Sequence, residues 1–428
     1  MDTTKKSSVG EYKRAMHSAR LTSDYVFNQL IPYIGNKRKL LNLIHEAIDQ
    51  TGINNGIFLD IFAGTGVVSR FAKKLGYQVI ANDWEPYSYY INACYIKSNH
   101  YPAFSNLGGY AKVIDYLNNL EPRVDWVTEH LCPDDDYDYD VNIDRMFYMK
   151  KNGMRLDAIR EKIYKWKSEQ LIDEIEEACL LAPLLYQASY TSNTSGVFKG
   201  FHNGWGGKTK TALYRIAGDL ELHPAVFFDN GKENRVYRED AQKLAEHLQD
   251  TKIDIVYLDP PYNQHPYGSN YHVLNSIALW DKPAITKKII RGNKSAIRKD
   301  WRTERRSAYN HKNHAILAYR KLLATINGHY ILTSYSTDGF IGLDDMIRAN
   351  LEGGYVRIIK RPYKRYRVSS TRFSSKPVNV EFIIVLDTSH KKGQSVDELV
   401  NEILAEEVKA LHNHPELNNA VNKQGILF

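Results

Sequence analysis

Little in this sequence points to metals, disulfides or membranes. Only three cysteines, Cys94, Cys132 and Cys179, stand in 428 residues. They are far apart and form no metal or redox pattern, which argues against a cysteine-held zinc site and fits a reducing cytoplasm. The fifteen histidines show no zinc spacing. No apolar run approaches the ~20 residues of a membrane span, so no membrane partner is expected. The opening residues, MDTTKKSSVGEYKR, lack the apolar region of a signal peptide. The acidic run 134–140, DDDYDYD, lacks the glycine and distal glutamate of an EF-hand, so it reads as a solvated loop and no metal is expected. Internal repeats are absent. Excess charge is small, +7 over the whole chain, so its distribution says more than its total. Length is not lacking: 428 residues at 43% hydrophobic content exceed one average domain and support a real core.

What is present is organised around residues 253–262, IDIVYLDPPY. The run 253–258 reads as a buried strand, and two prolines cannot continue its ladder. Asp259 is thereby placed at the carboxyl end of a strand, where open α/β sheets keep their ligand crevices. Those parts suit one kind of chemistry. An exocyclic amine on a planar base is a poor nucleophile, because its lone pair is delocalised into the ring. Asp259 and the Pro260 carbonyl can accept its two hydrogens and localise that pair. Pro261 stiffens the turn, and Tyr262 offers a flat face on which the base can stack. A strand that merely ends in a turn is the competing reading, and the rest of the chain weighs against it.

Upstream, residues 33–40, YIGNKRKL, precede apolar positions Leu40, Leu41, Ile44 and Ile48, a helical spacing. Gly35 permits close backbone approach, and lysines at a helix start oppose its dipole unless an anion is near. Residues 57–61 read as a buried strand running into Phe62-Ala63-Gly64-Thr65-Gly66 and a helix over 67–75. Strand, glycine turn and helix form the first unit of a nucleotide-binding α/β fold. A second strand, 78–81, ends at Asn82-Asp83, and Asp83 lies 17 residues past Gly66, near the spacing at which an acid meets a ribose diol. The third glycine of a dinucleotide fingerprint is missing.

Composition changes after about residue 98. Residues 99–235 mix helical stretches, 172–185 the clearest, with irregular ones. Within them, 191–210, TSNTSGVFKGFHNGWGGKTK, combines glycine, amides, aromatics and lysine. Such a loop suits nucleic-acid grooves: Lys199 and Lys208 for phosphate, Asn193, His202 and Asn203 for base edges. The α/β pattern resumes at 236–240, a strand end carrying Asp240, with a helix over 241–248. Residues 287–306 hold nine Lys or Arg against two acids. Further helix and strand follow at 315–327 and 330–334. Residues 357–376 hold eight basic residues and no acid, between strands 355–359 and 380–386, and read as a long hairpin. Lys364 and Arg365 lie there. Two basic segments form the electrostatic footprint of a nucleic-acid binder. Ser395 to Glu398 has capping-box spacing, ahead of an amphipathic helix expected to dock on the domain.

With these residues in hand, the chain resembles an S-adenosylmethionine-dependent DNA adenine N6-methyltransferase of the alpha class, the group that includes Dam methylases. The resemblance rests on YIGNKRKL at 33–40, FLDIFAGTG at 58–66, Asp83, and DPPY at 259–262, in that order. It implies an α/β fold: a Rossmann-like methyltransferase sheet, mostly parallel with a terminal antiparallel hairpin, plus an inserted, mainly helical target-recognition domain. Residues 21–98 and 236–390 would be catalytic, 99–235 the insert, and 391–428 a carboxyl-terminal helix and tail. By resemblance, Asp60, Phe62, Gly64 and Gly66 line the S-adenosylmethionine pocket, and Tyr33, Gly35 and Lys37 close it. Asp83 would bind the ribose and Asp240 the cofactor's adenine. The target base leaves the duplex and enters the pocket of Asp259, Pro260, Pro261 and Tyr262. The implied partner is double-stranded DNA, with a cognate restriction endonuclease acting on the same site, and the protein is expected to be a monomer. The 191–210 loop does not copy Dam's, so a target other than GATC is expected. Rival readings are a cytosine N4 enzyme, which usually has serine before Pro-Pro-Tyr, an RNA or protein-glutamine enzyme, and a catalytically idle DNA-binding protein.

Overall fold

A computed structural model describes residues 24–364, 378–391 and 393–412. Arg365 and the rest of 365–377 lie outside the described residues. Seven strands form the sheet: β1 (Ile57–Asp60), β2 (Gln78–Asn82), β3 (Arg235–Tyr237), β4 (Ile253–Leu258), β5 (Gly328–Ser336), β6 (Tyr355–Lys364) and β7 (Val378–Asp387). Their order is β3-β2-β1-β4-β5-β7-β6. β2 with β3, β1 with β4, and β4 with β5 are parallel. β7 is antiparallel to both β5 and β6. The expected mostly parallel sheet with a terminal antiparallel hairpin is therefore found.

Helices used below are α1 (Leu41–Asp49), α2 (Val67–Lys74), α3 (Pro86–Asn92), α4 (Lys150–Ser168), α5 (Glu174–Tyr190), α6 (Ala241–His247), α7 (His272–Leu279), α8 (Lys312–Thr325), α9 (Leu343–Gly353) and α10 (Val396–His412). The chain divides into two compact units. The first is Met1–Lys39, Ala63–Arg238 and His265–Arg306; the second is Leu40–Phe62, Glu239–Gln264 and Ser307–Phe428. Residues 99–235 lie in the first unit together with β2, α7 and the basic segment 287–306. Residues 99–235 hold several helices, α4 and α5 the longest, with irregular stretches between them, and their last residue, Arg235, begins β3.

In the second unit the order of the sheet turns at β1 and β4. Residues Leu59 and Val256 are in register, and β4 is buried at every position but one. A strand covered on both faces needs such a continuous apolar run. The exception, Asp254, accepts a 2.7 Å hydrogen bond from the Ile57 amide and so starts β1 beside it. Tyr319 on α8 shares a 2.7 Å hydrogen bond with Thr333 on β5, and Asn350 on α9 donates to the same tyrosine. The helix α10 packs on β6 and β7 and buries Leu399, Val400 and Ile403. Ser395 accepts from the Glu398 amide, half of the expected capping box.

The first unit is built on buried cations. Arg160 on α4 donates to the carbonyls of Ile277 and Ala278, at the carboxyl end of α7, at 2.7 and 3.0 Å. Lys73 on α2 donates to the carbonyls of Tyr95, Ile96 and Ser98. In both cases a cation caps the negative end of a helical stretch.

Candidate active site

In the second unit, β4 delivers Asp259 and stops. Asp259 is half-buried, Pro260 buried, and Pro261 and Tyr262 half-buried. The Tyr262 hydroxyl is hydrogen-bonded to Asp259 and to Ser334 at the end of β5. Burial, and then the charges of Asp259 and Glu381, push this phenol well above its ordinary range, so it stays protonated and donates to the carboxylate. Its ring lies 4.5 Å from that of Tyr335, tilted by 54°. The loop is braced at both ends of its turn. The Phe340 amide donates to the Tyr262 carbonyl at 2.9 Å, and the Asn310 amide donates to the Asn263 carbonyl at 2.8 Å. An acid, two rigid prolines and an aromatic ring are thus held at the mouth of the sheet's switch point.

Three other expected residues belong to this unit. Asp60 ends β1 and is buried. Phe62 is half-buried, with its ring edge-on to Tyr309 at 5.3 Å. Asp240 caps α6, its Oδ1 accepting from the amides of Gln242 and Lys243 at 3.0 and 3.3 Å. That is ordinary work for an aspartate at a helix start, and it leaves Oδ2 for any other partner.

The first unit gathers a second constellation. Tyr33 is stacked on Tyr271 and Tyr267, with ring centroids 4.8 and 5.2 Å away. Its hydroxyl accepts from Tyr87 at 3.0 Å. The Ile34 amide donates to the Tyr271 hydroxyl, and Tyr267 donates to the Ile34 carbonyl, so the 33–35 loop is clamped on both sides. Lys37 is buried in the turn that follows. Next to Tyr33 runs the glycine turn. A Cβ on Gly64 would stand 3.0 Å from the Tyr33 ring, and one on Gly66 2.3 Å from Asn92 Oδ1. Both glycines have positive φ, 52° and 75°, so no other residue fits. Ser88 and Asn92 on α3 donate to the Gly64 carbonyl at 2.6 and 3.2 Å.

Asp83 joins the same place. Its Oδ2 accepts from the Gly64 amide and its Oδ1 from the Glu85 amide, both at 2.8 Å. Burial, opposed by these amides, pushes its carboxyl up to about 6. The Ser88 hydroxyl lies within hydrogen-bond reach of the same carboxylate, and an ionised carboxylate offers about four acceptor sites in all. Asn92 Oδ1 is buried without a hydrogen-bond partner among the described residues. Tight glycine backbone, an aromatic clamp, a buried acid and an amide oxygen without a partner among the described residues are thus gathered in one place.

Sequence reasoning missed several members of this constellation. Tyr87, Tyr267 and Tyr271 carry no motif of their own. Glu85, two residues after Asp83, is buried and accepts from Asn275 and Arg305, each at 2.6 Å. The Glu-Pro pair at the start of α3 was the available signal, since proline favours the first helical position.

The expected DNA-contacting residues divide sharply. Asn193 is fully buried, and its amide holds its own loop together. It donates to the carbonyls of Met146, His202 and Gly204 and accepts from the Gly206 amide. A base edge cannot reach it in this arrangement, so its place among the edge-reading residues is withdrawn. His202 is half-buried, while Asn203 and Lys208 are exposed. Lys199 is 3.3 Å from the His265 ring nitrogen, and burial lowers its ammonium below the ordinary range. Lys364 is the last residue of β6.

Much of the basic segment is neutralised from within. Lys287 pairs with Glu129, Lys288 with Asp134 and Asp144, Arg298 with Asp281 and Asp300, and Arg305 with Glu85 and Asp300. The segment is shaped by Arg145, which is fully buried. Its guanidinium donates to the carbonyls of His130, Thr286, Asn293 and Lys294. No carboxylate balances it among the described residues' ion pairs; backbone carbonyls and the Thr286 hydroxyl satisfy it.

Residues 33–331 match the family described as D12 class N6 adenine-specific DNA methyltransferase. Similar proteins include the modification methylase StsI of Streptococcus sanguinis, 32% identical over 391 residues, which are 90% of this chain and 56% of that one. The type II methyltransferase M.FokI of Planomicrobium okeanokoites is 35% identical over 345 residues, 78% of this chain and 49% of its own. The type II methyltransferase M.NlaIII of Neisseria lactamica is 32% identical over 353 residues, 82% of this chain and 96% of its own. The chain spans about half the length of the first two relatives. No solved structure matches. A match over most of the chain, in a protein with this sheet order and an Asp-Pro-Pro-Tyr turn at the end of β4, leaves one assignment: the chain belongs to the D12 class N6 adenine-specific DNA methyltransferase family.

Proposed function

We propose that the protein transfers a methyl group from S-adenosylmethionine to the N6 amino group of an adenine in double-stranded DNA, at a specific site. The observation that carries this reading is the Asp259–Tyr262 turn, where a carboxylate oriented by a phenol stands at the carboxyl end of β4. Asp259 and the Pro260 carbonyl accept the two amine hydrogens and concentrate the nitrogen lone pair. Tyr262 provides the face for the extruded base, since an amine inside the stack is inaccessible. S-adenosylmethionine, when bound, supplies an electrophilic methyl group. In the first unit Tyr33, Gly64, Gly66 and Asp83 would hold it, with Asp83 on the ribose hydroxyls. Positioning and electrostatics then supply the catalysis. Residues 99–235 would choose the target. The names of the relatives support a modification role, with a cognate endonuclease cutting the same site when it is unmethylated.

Radiolabelled methyl transfer offered to DNA, RNA and protein in parallel tests the reading, with the labelled nucleoside identified after digestion. N6-methyladenine in DNA alone is expected. Label in cytosine, RNA or protein would sink it. Asp259→Ala is expected to abolish transfer while cofactor affinity survives, and retention of more than a few per cent of activity would remove Asp259 from its role.

A further inference from the structure

We propose that the recognition sequence contains a guanine, read in the major groove by a donor pair formed by Lys294 and Asn203. The inference rests on the reading of the chain as a DNA methyltransferase and names part of its substrate.

Lys294 lies in the basic segment and Asn203 in the glycine-rich loop. Lys294 Nζ donates to Asn203 Oδ1 and sits 4.6 Å from the centre of the Phe201 ring. The contact fixes the amide: its oxygen faces the ammonium, and its Nδ2 is the group left to present. Asn203 is exposed and Lys294 half-buried, so the pair lies at the surface. Together they offer N–H donors and no acceptor. Asparagine reads adenine by donating to N7 while accepting from the N6 amine. An asparagine whose oxygen is held by a lysine does not complete that pattern. Guanine presents two adjacent acceptors, N7 and O6, on its major-groove edge. A lysine and a primary amide, both donating, complement it.

Both segments are braced. Arg145 holds the carbonyls of Asn293 and Lys294, and Ser295 donates to the Lys199 carbonyl. On the other side, Asn193 ties the carbonyls of His202 and Gly204 together around Asn203. Gly204, Gly206 and Gly207 have positive φ and carry no side chain, and Trp205 between them is tied down by its Nε1, which donates to the Asp136 carbonyl at 2.8 Å. A rigid pair of donors with an open approach is suited to reading a base edge rather than to general attraction.

The test begins with the unaltered protein. Modified adenines in the DNA of a host expressing it define the site, which is expected to contain an invariant G·C pair. Synthetic duplexes then carry 7-deazaguanine in place of each guanine in turn, which removes the N7 acceptor and leaves base pairing intact. At one position kcat/KM should fall roughly ten-fold. Asn203→Ala and Lys294→Met proteins should be slower on the normal duplex and lose the sensitivity to 7-deazaguanine. A site of A·T pairs only, tolerance of the analogue at every guanine, or variants as sensitive as the parent would each overturn the proposal while the methyltransferase reading stands. Absence of any adenine methylation by the parent would remove that reading and this inference with it.

Discussion

Through its proposed ribose contact, Asp83 would tie cofactor binding to pH. Its carboxyl, ordinarily near 3.8, is raised to about 6 by burial. The folded protein therefore holds a proton that the unfolded chain releases across that window. Stability from this group is full below its ordinary value and is lost as pH rises through about 6. Cofactor binding through the proposed contact would run the other way, because a ribose diol donates and needs the ionised carboxylate. Affinity for S-adenosylmethionine should rise about tenfold per pH unit up to about 6 and level off above it. Calorimetry between pH 5 and 7.5 reads this directly. Asp83→Ala should weaken binding by about 1.5–3 kcal/mol at neutral pH and flatten the profile. A flat profile in the parent protein would detach Asp83 from the ribose.

At the scale of elements, the ion pair between Glu85 and Arg305 fastens residues 298–306 to the start of α3. Both side chains are about nine-tenths buried, at 10 and 11% exposure. Removing Arg305 would strand a buried carboxylate, so Arg305→Met should destabilise the protein by about 3–5 kcal/mol. Adding Glu85→Gln should recover part of the loss. Urea unfolding of the two single variants and the double variant measures the coupling; additive losses would mean the pair contributes nothing. This pair also explains what the sequence could and could not disclose. The strand 253–258 was legible because a covered parallel strand must be apolar along its length. The helices at 67–75 and 241–248 were legible within a residue from the strand ends and turn residues before them, and the turn at Asp259 from its prolines. Arg298 and Arg305 looked like phosphate ligands because their partners, Asp281 and Glu85, come together with them only in the fold. Asn193 looked like a reader of bases because composition cannot tell an amide that serves a duplex from one that serves its own loop.

For the whole molecule, the same pairing limits how strongly the chain can attract DNA. Lys287, Lys288, Arg298 and Arg305, among the nine cations in 287–306, are held by acids. Arg291 and Lys299 are exposed and have no ion pair among the described residues. Counterion release counts only charges that reach phosphate, and each such contact contributes ~0.9 to the slope of log K against log salt. Neutralising Arg291 and Lys299 together should therefore lower that slope by up to ~1.8, about equally on all sequences. Neutralising Lys287 and Lys288 instead removes cations already matched by Glu129, Asp134 and Asp144. It should leave the slope nearly unchanged and lower stability slightly, as loss of exposed pairs does. Titrations of a specific and a random duplex between 50 and 200 mM salt separate the two cases. Equal slopes lost by both pairs would show that the internal acids release their lysines to phosphate when DNA binds, and the division of this segment into structural and phosphate-binding cations would have to be abandoned.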